Sequence, residues 1–583
     1  MARFNFKEKT VNYEGAPAFN LDPQMALYNM VCNSLLQPQF YRPDTQAQLD
    51  ELRNIIRNNS PLFVAKLAVY ARKNMHLRTI PLVLLVELAR SYSHTSVLKK
   101  AVAEVISRPD EITELLAYYA KSNDRTDMKR ISCQLKKGIK LAANKFDAYQ
   151  YAKWNRKGIV TLKDALRLTR PVPKDEEQSE IFYKVCTDTL DVPYTWETEF
   201  CQLGREVSEK IVDFVKSSLP EMEEIQSINS LDKLMIAVKT YLSDDTEGIR
   251  LYDKLCIEVD TIKRKAKKEK WEELIESGRM GYQATLMNLR NFLKYNVGME
   301  HIQKVANFLS TPAQVLKSKM FPFRYLSAYR ALHGNAINIT PSRGFGGLGG
   351  GSSYSSYSRS FGKPTDVTGF DLEKVKVLCD ALESAAVASI NNVDMFVEDQ
   401  EVLIACDVSS SMFAQLSRNS SITNYDVGLF MGLLLKKKSP GSTIGIFGND
   451  WKVKDDLDKY GALEGVSYLY SIEGEVGYST HGYKVLEYAN QGHKYDRIMM
   501  FTDGQMYDDN RGNSIPQLWA KYKENNPQAK LYLFDLVGYR GQPIEIGKND
   551  AYLISGWSNE IFSVLKNLED GKSALENINS IEL

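Results

Sequence analysis

The sequence lacks the usual features of secreted, zinc-binding and membrane-spanning proteins. Its seven cysteines are scattered and odd in number, and no close pair suggests a zinc site or a disulfide framework. No apolar run approaches the ~18 residues that a membrane-spanning helix needs. The first residues contain no apolar signal-peptide core. We therefore expect a cytoplasmic protein that does not engage a membrane.

Catalytic motifs are also missing. The chain contains only six histidines, no P-loop and no HExxH motif. No nucleophile has an evident partner base. To name His481 as the base for Ser410 would be a guess. We therefore expect a binding protein rather than an enzyme.

The charge is unevenly distributed along a chain of 583 residues, which is long enough for two to four domains. From residue 365 onward there are 20 Lys and Arg against 32 Asp and Glu, whereas residues 1–364 contain 54 against 41. A basic first part suits a polyanion, and an acidic second part suits a divalent cation. The alternative is that both parts simply carry solvated surface charge.

The first part has a helical pattern almost throughout. Apolar residues recur at three- and four-residue spacing in Leu49–Ile56, Leu62–Lys73 and Pro81–Ser91, with short breaks between such segments. Helix, turn and helix repeated without strands is typical of an α-solenoid of HEAT-like pairs. Because no strict sequence period is visible, a large helical bundle is the alternative. Residues 205–280 are rich in both charges and predict a long, solvent-exposed helix.

The most basic stretch, residues 125–174, mixes cationic and aromatic side chains. Cationic side chains suit RNA phosphates, and exposed rings stack on unpaired bases. The alternative is a solvated basic face, and we expect the aromatic residues to lie in the core. A later amphipathic helix, Gln283–Val297, adds two more cations. The predicted RNA-binding residues are Lys136, Lys137, Lys140, Lys153, Arg156, Lys157, Lys163, Arg167, Arg170, Arg290 and Lys294.

A Gly/Ser-rich stretch divides the chain. Residues 342–364 cannot bury enough apolar surface to fold, and their composition is typical of a flexible tether. The predicted organisation is therefore multidomain, with an all-α domain over residues 1–341, a linker over 342–364 and a second domain over 365–583.

Strands and helices alternate after the linker. Predicted strands are Val402–Cys406, Thr443–Phe447, Arg497–Thr502 and Lys530–Val537, each followed by helical sequence. This alternation predicts βα units and a parallel sheet. Ligands of such sheets bind beyond the carboxyl ends of the strands.

Three loops at those ends carry hard oxygen atoms. Asp407, Ser409 and Ser411 follow the first strand, Thr480 precedes a helix, and Asp503 follows another strand. Carboxylates and hydroxyls suit Mg²⁺ or another divalent cation. Paired bridging carboxylates, which a two-metal nuclease needs, are absent.

The three loops resemble the metal-ion-dependent adhesion site of the von Willebrand factor A domain, which has a Rossmann-like α/β fold. The resemblance implies that Ser409, Ser411 and Thr480 ligate Mg²⁺ directly, while Asp407 and Asp503 act largely through water. Such a site recruits a carboxylate from a partner protein.

The helical part resembles the TROVE module of the Ro autoantigen family, in a bacterial or phage relative. The segments that carry the resemblance are Lys136–Ala142, Tyr151–Gly158, Leu162–Pro171, Leu289–Lys294 and Phe321–Arg324.

That resemblance implies a HEAT-like solenoid ring closed by the A domain. It also implies a ribonucleoprotein that holds small noncoding Y RNA on the ring and single-stranded 3′ ends of misfolded RNA in its cavity. Its implied role is RNA quality control or decay, together with an exoribonuclease such as polynucleotide phosphorylase. The protein component of this ribonucleoprotein is expected to be a monomer. The alternative function is a Mg²⁺-dependent protein-binding adaptor in which RNA binding is incidental.

Overall fold

The computed structural model describes most of the chain. The described residues are 9–33, 44–92, 95–122, 131–191, 193, 195–243, 245–333, 337–341, 357–361, 369–389, 401–416, 422–507, 514–539, 541–556 and 560–583.

The first part is built from helices that follow a short β-hairpin. The hairpin strands are β1 (Lys9–Val11) and β2 (Pro17–Phe19), which pair antiparallel. The helices are α1 (Pro23–Asn33), α2 (Thr45–Arg57), α3 (Pro61–Lys73), α4 (Thr79–Ser91), α5 (Val97–Val105), α6 (Pro109–Ser122), α7 (Cys133–Ala143), α8 (Ala148–Trp154), α9 (Leu162–Thr169), α10 (Glu176–Thr187), α11 (Trp196–Ser218), α12 (Glu223–Gln226), α13 (Leu231–Tyr241), α14 (Thr246–Glu276), α15 (Tyr282–Met287), α16 (Leu289–Lys294), α17 (Met299–Ser310), α18 (Pro312–Ser318) and α19 (Phe323–His333).

Local sequence signals account for the helix starts. Ser60 accepts a hydrogen bond from Phe63 N at 3.2 Å, and Pro61 occupies the first turn of α3. Thr161 and Asp164 form the reciprocal capping box that starts α9. Successive helices then pack on near neighbours, as α3 does on α4 and α5, and α5 on α7. This local packing is typical of α-solenoids.

Two sequence-based expectations in the helical part were wrong in detail. The segment 205–280 is not one exposed helix, because α11, α13 and α14 enclose a separate core that includes Ile211, Leu234 and Leu255. The helix expected over Gln283–Val297 is divided into α15 and α16 at Asn288, whose ψ of 5° departs from helical values.

The second part alternates strands and helices around one sheet. A further hairpin pairs β3 (Ile337–Pro341) with β4 (Tyr357–Phe361), so the end of the predicted tether is a strand, and the rest of residues 342–364 lies outside the described residues. The remaining elements are α20 (Leu372–Ala388), β5 (Val402–Asp407), α21 (Asn424–Lys438), β6 (Thr443–Phe447), β7 (Trp451–Val453), α22 (Ala462–Ile472), α23 (Tyr483–Ala489), β8 (Arg497–Thr502), α24 (Ile515–Asn525), β9 (Lys530–Asp535), β10 (Ala551–Ser555), α25 (Glu560–Glu569) and α26 (Ala574–Asn579).

The sheet has the strand order β10-β9-β8-β5-β6-β7. All neighbouring strands run parallel except the edge strand β7, which is antiparallel to β6 and was not predicted. The strand order reverses direction at β5, so the crevice beyond β5 and β8 is the switch point of the sheet. The parallel α/β architecture predicted from sequence is thus confirmed, with one antiparallel strand added.

Both faces of the sheet are covered. Alternate residues of β5 point to opposite faces. Ile404 and Cys406 belong to a core that continues into the helical part, whereas Leu403 and Ala405 pack with residues of α23 and α24. Among the described helices, none combines the length and apolarity needed to cross a bilayer.

Candidate functional site

The strand β5 delivers an oxygen-rich loop to the switch point. All six residues of β5 are buried, and Asp407 ends the strand. Its Oδ1 accepts a hydrogen bond from Ser409 N at 2.8 Å, and the hydroxyls of Ser409 and Ser411 lie 3.2 Å apart. All three side chains are buried. The loop therefore turns three oxygen-bearing side chains into one small, buried space.

The end of β8 supplies the second carboxylate. Thr502 Oγ1 donates to Asp407 Oδ2 at 2.7 Å and so joins β8 to β5. Asp503 is fully buried, and its Oδ1 accepts from Gln505 N at 3.0 Å. Its Oδ2 makes no hydrogen bond of good geometry among the described residues, although the Ser411 hydroxyl lies close enough to lower the pKa of Asp503. A buried carboxylate oxygen without a partner is costly unless a cation or water satisfies it.

The loop that contains Thr480 meets both other loops. Tyr478 O accepts from Ser410 N at 3.1 Å, and Thr480 O accepts from Tyr507 N at 2.9 Å. The structure therefore brings together the three loops that the sequence singled out. His481 turns to a neighbouring loop, where its Nδ1 lies 2.9 Å from Asn449 O.

The two carboxyl groups of this site are costly to ionise together. Burial raises the pKa of Asp407 to about 6. Burial and the nearby charge of Asp407 raise the pKa of Asp503 to about 8. Within the described residues, no group of three or more His, Cys, Asp or Glu side chains could hold a metal. A cation at this site would need the serine and threonine hydroxyls as well as the two carboxylates, and such a donor set suits Mg²⁺.

The basic residues of α7 lie on the outer side of a well-packed helix. Leu135 and Ile139 are fully buried, while Lys136 and Lys140 are partly exposed and Lys137 is exposed. None of these lysines forms an ion pair within the part of the chain that the structure describes. Lys136 and Lys140 are one turn apart, so they are neighbours on the helix surface.

Cations and rings alternate on the surface near α8. The guanidinium carbon of Arg108 lies 3.6 Å from the centroid of the Trp154 ring, and that of Arg156 lies 4.8 Å from it. Lys153 Nζ is 5.6 Å from the rings of both Trp154 and Tyr149. Such distances are within the range of cation–π attraction. Lys157, in the loop after α8, is exposed.

The expectation that the aromatic residues lie in the core was only partly right. Tyr151 is fully buried and its hydroxyl donates to Ala143 O, whereas Tyr149 is 50% exposed. The difference follows from helix geometry, because residues two apart in α8 point to different sides.

The cationic side chains of α9 are less available to a ligand than those of α7, because two of them already have partners within the protein. Lys163 pairs with Asp188, and Arg167 donates to Cys186 O at 3.3 Å, so both side chains are tied to the end of α10. Arg170 ends α9 in a left-handed conformation with φ of 51° and is exposed.

The remaining two predicted RNA-binding residues lie apart from those of α7 to α9. Arg290 and Lys294 lie on α16, which packs against α19 and α20 rather than beside α7 to α9. Lys294 Nζ is 5.7 Å from the ring centroid of Tyr295, and Lys267 Nζ of α14 is 5.2 Å from the same centroid.

Sequence reasoning missed two residues of these sites. Thr502 was noticed only as a strand end, although it bonds Asp407. Arg108 lies outside the basic stretch of residues 125–174, although its guanidinium contacts the Trp154 ring. No local pattern identifies either one, because each contact joins segments far apart in sequence.

Fold and sites together define a two-part protein, in which a helical module with a basic surface adjoins an α/β domain with an oxygen-lined switch point. The chain belongs to the TROVE domain family, whose profile matches residues 20–239 and 257–341. This is a family of RNA-binding scaffolds rather than enzymes.

Known proteins support this assignment. Telomerase protein component 1 of Mus musculus is 22% identical over 333 residues, and its counterpart in Rattus norvegicus is 21% identical. Each alignment covers 53% of this chain but only 13% of the relative. The crystal structure of the RO (RSR) protein of Deinococcus radiodurans has a TM-score of 0.51 at 15% identity and covers 93% of this chain and 99% of that one. The likeness in fold therefore includes both parts.

Proposed function

We propose that this protein binds a small, noncoding, structured Y-like RNA on α7 to α9 and a single-stranded 3′ end of misfolded RNA, in RNA quality control or decay. The observation that carries the proposal is the row of Lys136, Lys137 and Lys140 on α7. These lysines have no ion pair among the described residues, so their charge is available to phosphates.

The neighbouring rings add a contact for bases. Tyr149 is half exposed, and Trp154 is bracketed by cationic side chains. Unpaired bases stack on such rings and on guanidinium planes, which suits RNA with unpaired segments better than a regular duplex.

We further infer that the helical part consists of HEAT-like pairs forming a ring closed by a von Willebrand factor A-like domain. Support comes from contacts at both ends of the helical part. Asn29 of α1 donates to Asp535 at 2.8 Å, and Arg330 of α19 donates to Asp426 at 2.6 Å. The first and last helices of this part thus both touch the α/β domain.

Reversing the charge of Lys136, Lys137 and Lys140 to Glu is the test of the RNA surface. The probe is a stem-loop RNA with a single-stranded 3′ tail, and binding is measured by filter retention at several salt concentrations. We expect much weaker binding and a log–log salt slope that is shallower by roughly 2 to 3, since each phosphate contact contributes about 0.9.

The matched control reverses Lys263, Arg264 and Lys265, an equally charged group on α14. It should leave binding nearly unchanged. Equal affinity of the α7 triple variant and the unaltered protein would refute the assignment of the surface.

We also propose that Ser409, Ser411, Thr480, Asp407 and Asp503 hold Mg²⁺. The observation that supports a cation there is the fully buried Oδ2 of Asp503, which makes no hydrogen bond of good geometry among the described residues and lies near the Ser411 hydroxyl. When bound, Mg²⁺ would supply a positive centre that attracts an acidic residue of a protein partner. An exoribonuclease such as polynucleotide phosphorylase is the partner we propose, in the cytoplasm.

Calorimetric titration with Mg²⁺ tests the metal site. Asp407→Ala should abolish binding, because it removes a carboxylate and the acceptor of Thr502 and Ser409. Asp570→Ala, at an exposed position after α25, is the control and should bind as the unaltered protein does. Undiminished binding by Asp407→Ala would place the cation elsewhere. Pull-down of the exoribonuclease with and without EDTA then tests the partner.

A further inference from the structure

The β1–β2 hairpin, residues 9–19, lies against the loop that carries Asp503. The side-chain amide of Asn12 donates to Met506 O at 2.7 Å, and Tyr13 N donates to Gln505 Oε1 at 2.9 Å. Both acceptors lie within three residues of Asp503. The hairpin therefore contacts the loop itself, although nearly 500 residues separate the two in sequence.

The turn of the hairpin fixes the direction of the Asn12 amide. Asn12 Oδ1 accepts from Glu14 N at 3.0 Å and from Ala16 N at 2.8 Å. Gly15 adopts φ of +80°, which a residue with a side chain rarely adopts. The acceptor atom of the amide is thus occupied within the turn, and its NH₂ group is left pointing at Met506.

A second contact anchors the other end of the hairpin. Phe19 and Gln542 exchange two backbone hydrogen bonds, each of 2.9 Å. Gln542 Nε2 donates to Asp535 Oδ2 at 3.0 Å, and Asn29 donates to the same oxygen at 2.8 Å. The hairpin therefore spans the loops that follow β8 and β9.

Loop 502–507 connects the hairpin to the proposed metal ligands. Thr502 donates to Asp407, Gln505 N donates to Asp503, and Tyr507 N donates to Thr480 O. Gln505 is fully buried, and its Nε2 has no hydrogen-bond partner among the described residues. Its side chain is thus held through Oε1, the atom that the hairpin contacts.

We propose that Asn12 is a positioning residue of the metal site, and that docking of the hairpin and binding of Mg²⁺ stabilise each other through loop 502–507. This inference rests on the Mg²⁺ site proposed above. Coupling of two binding events is reciprocal. Mg²⁺ therefore lowers the equilibrium constant for opening of the hairpin by the same factor by which docking raises the affinity for Mg²⁺.

The test uses the full chain with Asn12→Ser. Serine retains a hydroxyl that can accept within the turn but lacks the amide that reaches Met506. We expect the dissociation constant for Mg²⁺ to rise about two- to tenfold, the effect of losing one hydrogen bond. Val11→Ala is the control, because Val11 lies in the same hairpin and its side chain is 64% exposed.

Hydrogen exchange of residues 10–19 provides a readout that needs no change to the hairpin. Mg²⁺ should slow this exchange in the unaltered protein and have no effect in Asp407→Ala. If Mg²⁺ binds but neither exchange nor the affinity of Asn12→Ser responds, the coupling is wrong and the metal site stands. If the unaltered protein binds no Mg²⁺, both proposals fail.

Discussion

Gly138 shows how closely α7 packs beneath its row of lysines. A Cβ atom at this position would lie 2.5 Å from Val102 Cβ and 2.8 Å from Lys99 O. Neither neighbour is the flexible end of a side chain, so one of the helices must shift to admit a methyl group. The residue that lets α7 approach α5 therefore also fixes where Lys136, Lys137 and Lys140 stand.

Gly138→Ala should lower the free energy of unfolding by about 1–3 kcal/mol through overpacking. Gly204→Ala is the matched control, because α11 leaves nothing within 4 Å of the added Cβ. There the better helix propensity of alanine should raise stability by up to ~1 kcal/mol. Urea unfolding of both variants measures the difference, and a loss of stability at Gly204 alone would contradict the argument.

At the residue scale, the sequence predicted which loops meet but not all the contacts within them. Asp407 and Asp503 could be placed together because the carboxyl ends of parallel strands share one edge of a sheet. The sequence could not predict that Tyr151 is buried and Tyr149 exposed, because both lie in one short segment that mixes aromatic and cationic residues. The partner of Trp154 was hidden because Arg108 lies 46 positions earlier.

Among the elements, α25 is joined to two strands by one carboxylate. Glu569 accepts two hydrogen bonds from Arg497 of β8, each of 2.7 Å, and one from Lys530 of β9 at 3.0 Å. Burial raises the pKa of Glu569, but the hydrogen bonds from Arg497 and Tyr532 outweigh burial and lower it to about 2.

This lowered pKa predicts a pH-dependent stability. The folded pKa lies below the ordinary value of 4.5, so the stabilisation is complete above about pH 5 and is lost as the pH falls toward 2. The shift corresponds to about 3 kcal/mol. Glu569→Gln should remove this amount at pH 7 and flatten the acid limb of the stability curve.

Denaturant titrations at a series of pH values measure this effect. Glu524→Gln, at an exposed position of α24, is the control and should keep the pH profile of the unaltered protein. An equally steep acid limb in Glu569→Gln would assign the acid sensitivity to other groups.

The ends of helices and strands depend on side-chain hydrogen bonds, which the spacing of apolar residues in the sequence does not reveal. The strand expected over Lys530–Val537 ends at Asp535, because the carboxylate of Asp535 accepts from Val537 N and Gly538 N and turns the chain. The core enclosed by α11, α13 and α14 was missed for another reason, since its apolar residues are diluted by charges of both signs.

For the whole molecule, composition and alternation predict a helical part followed by an α/β part. They could not predict how the parts join. That junction depends on buried polar pairs such as Arg330 with Asp426, and on the network of Asn29, Asp535 and Ser555. The sequence pattern does not reveal such pairs, because each partner is a single polar residue in an otherwise ordinary segment.

The docking of the hairpin and α1 on the sheet has a consequence for biosynthesis. Asn12 and Met506 are 494 positions apart, and Asn29 and Ser555 are 526 apart. At about 5–20 residues per second, a ribosome needs roughly 25–100 s to make the second partner after the first. The helical part therefore leaves the ribosome before its contacts with the sheet can form. For that interval each new molecule has its helices but not the sheet, so the hairpin and α1 have not yet met the surface on which they pack.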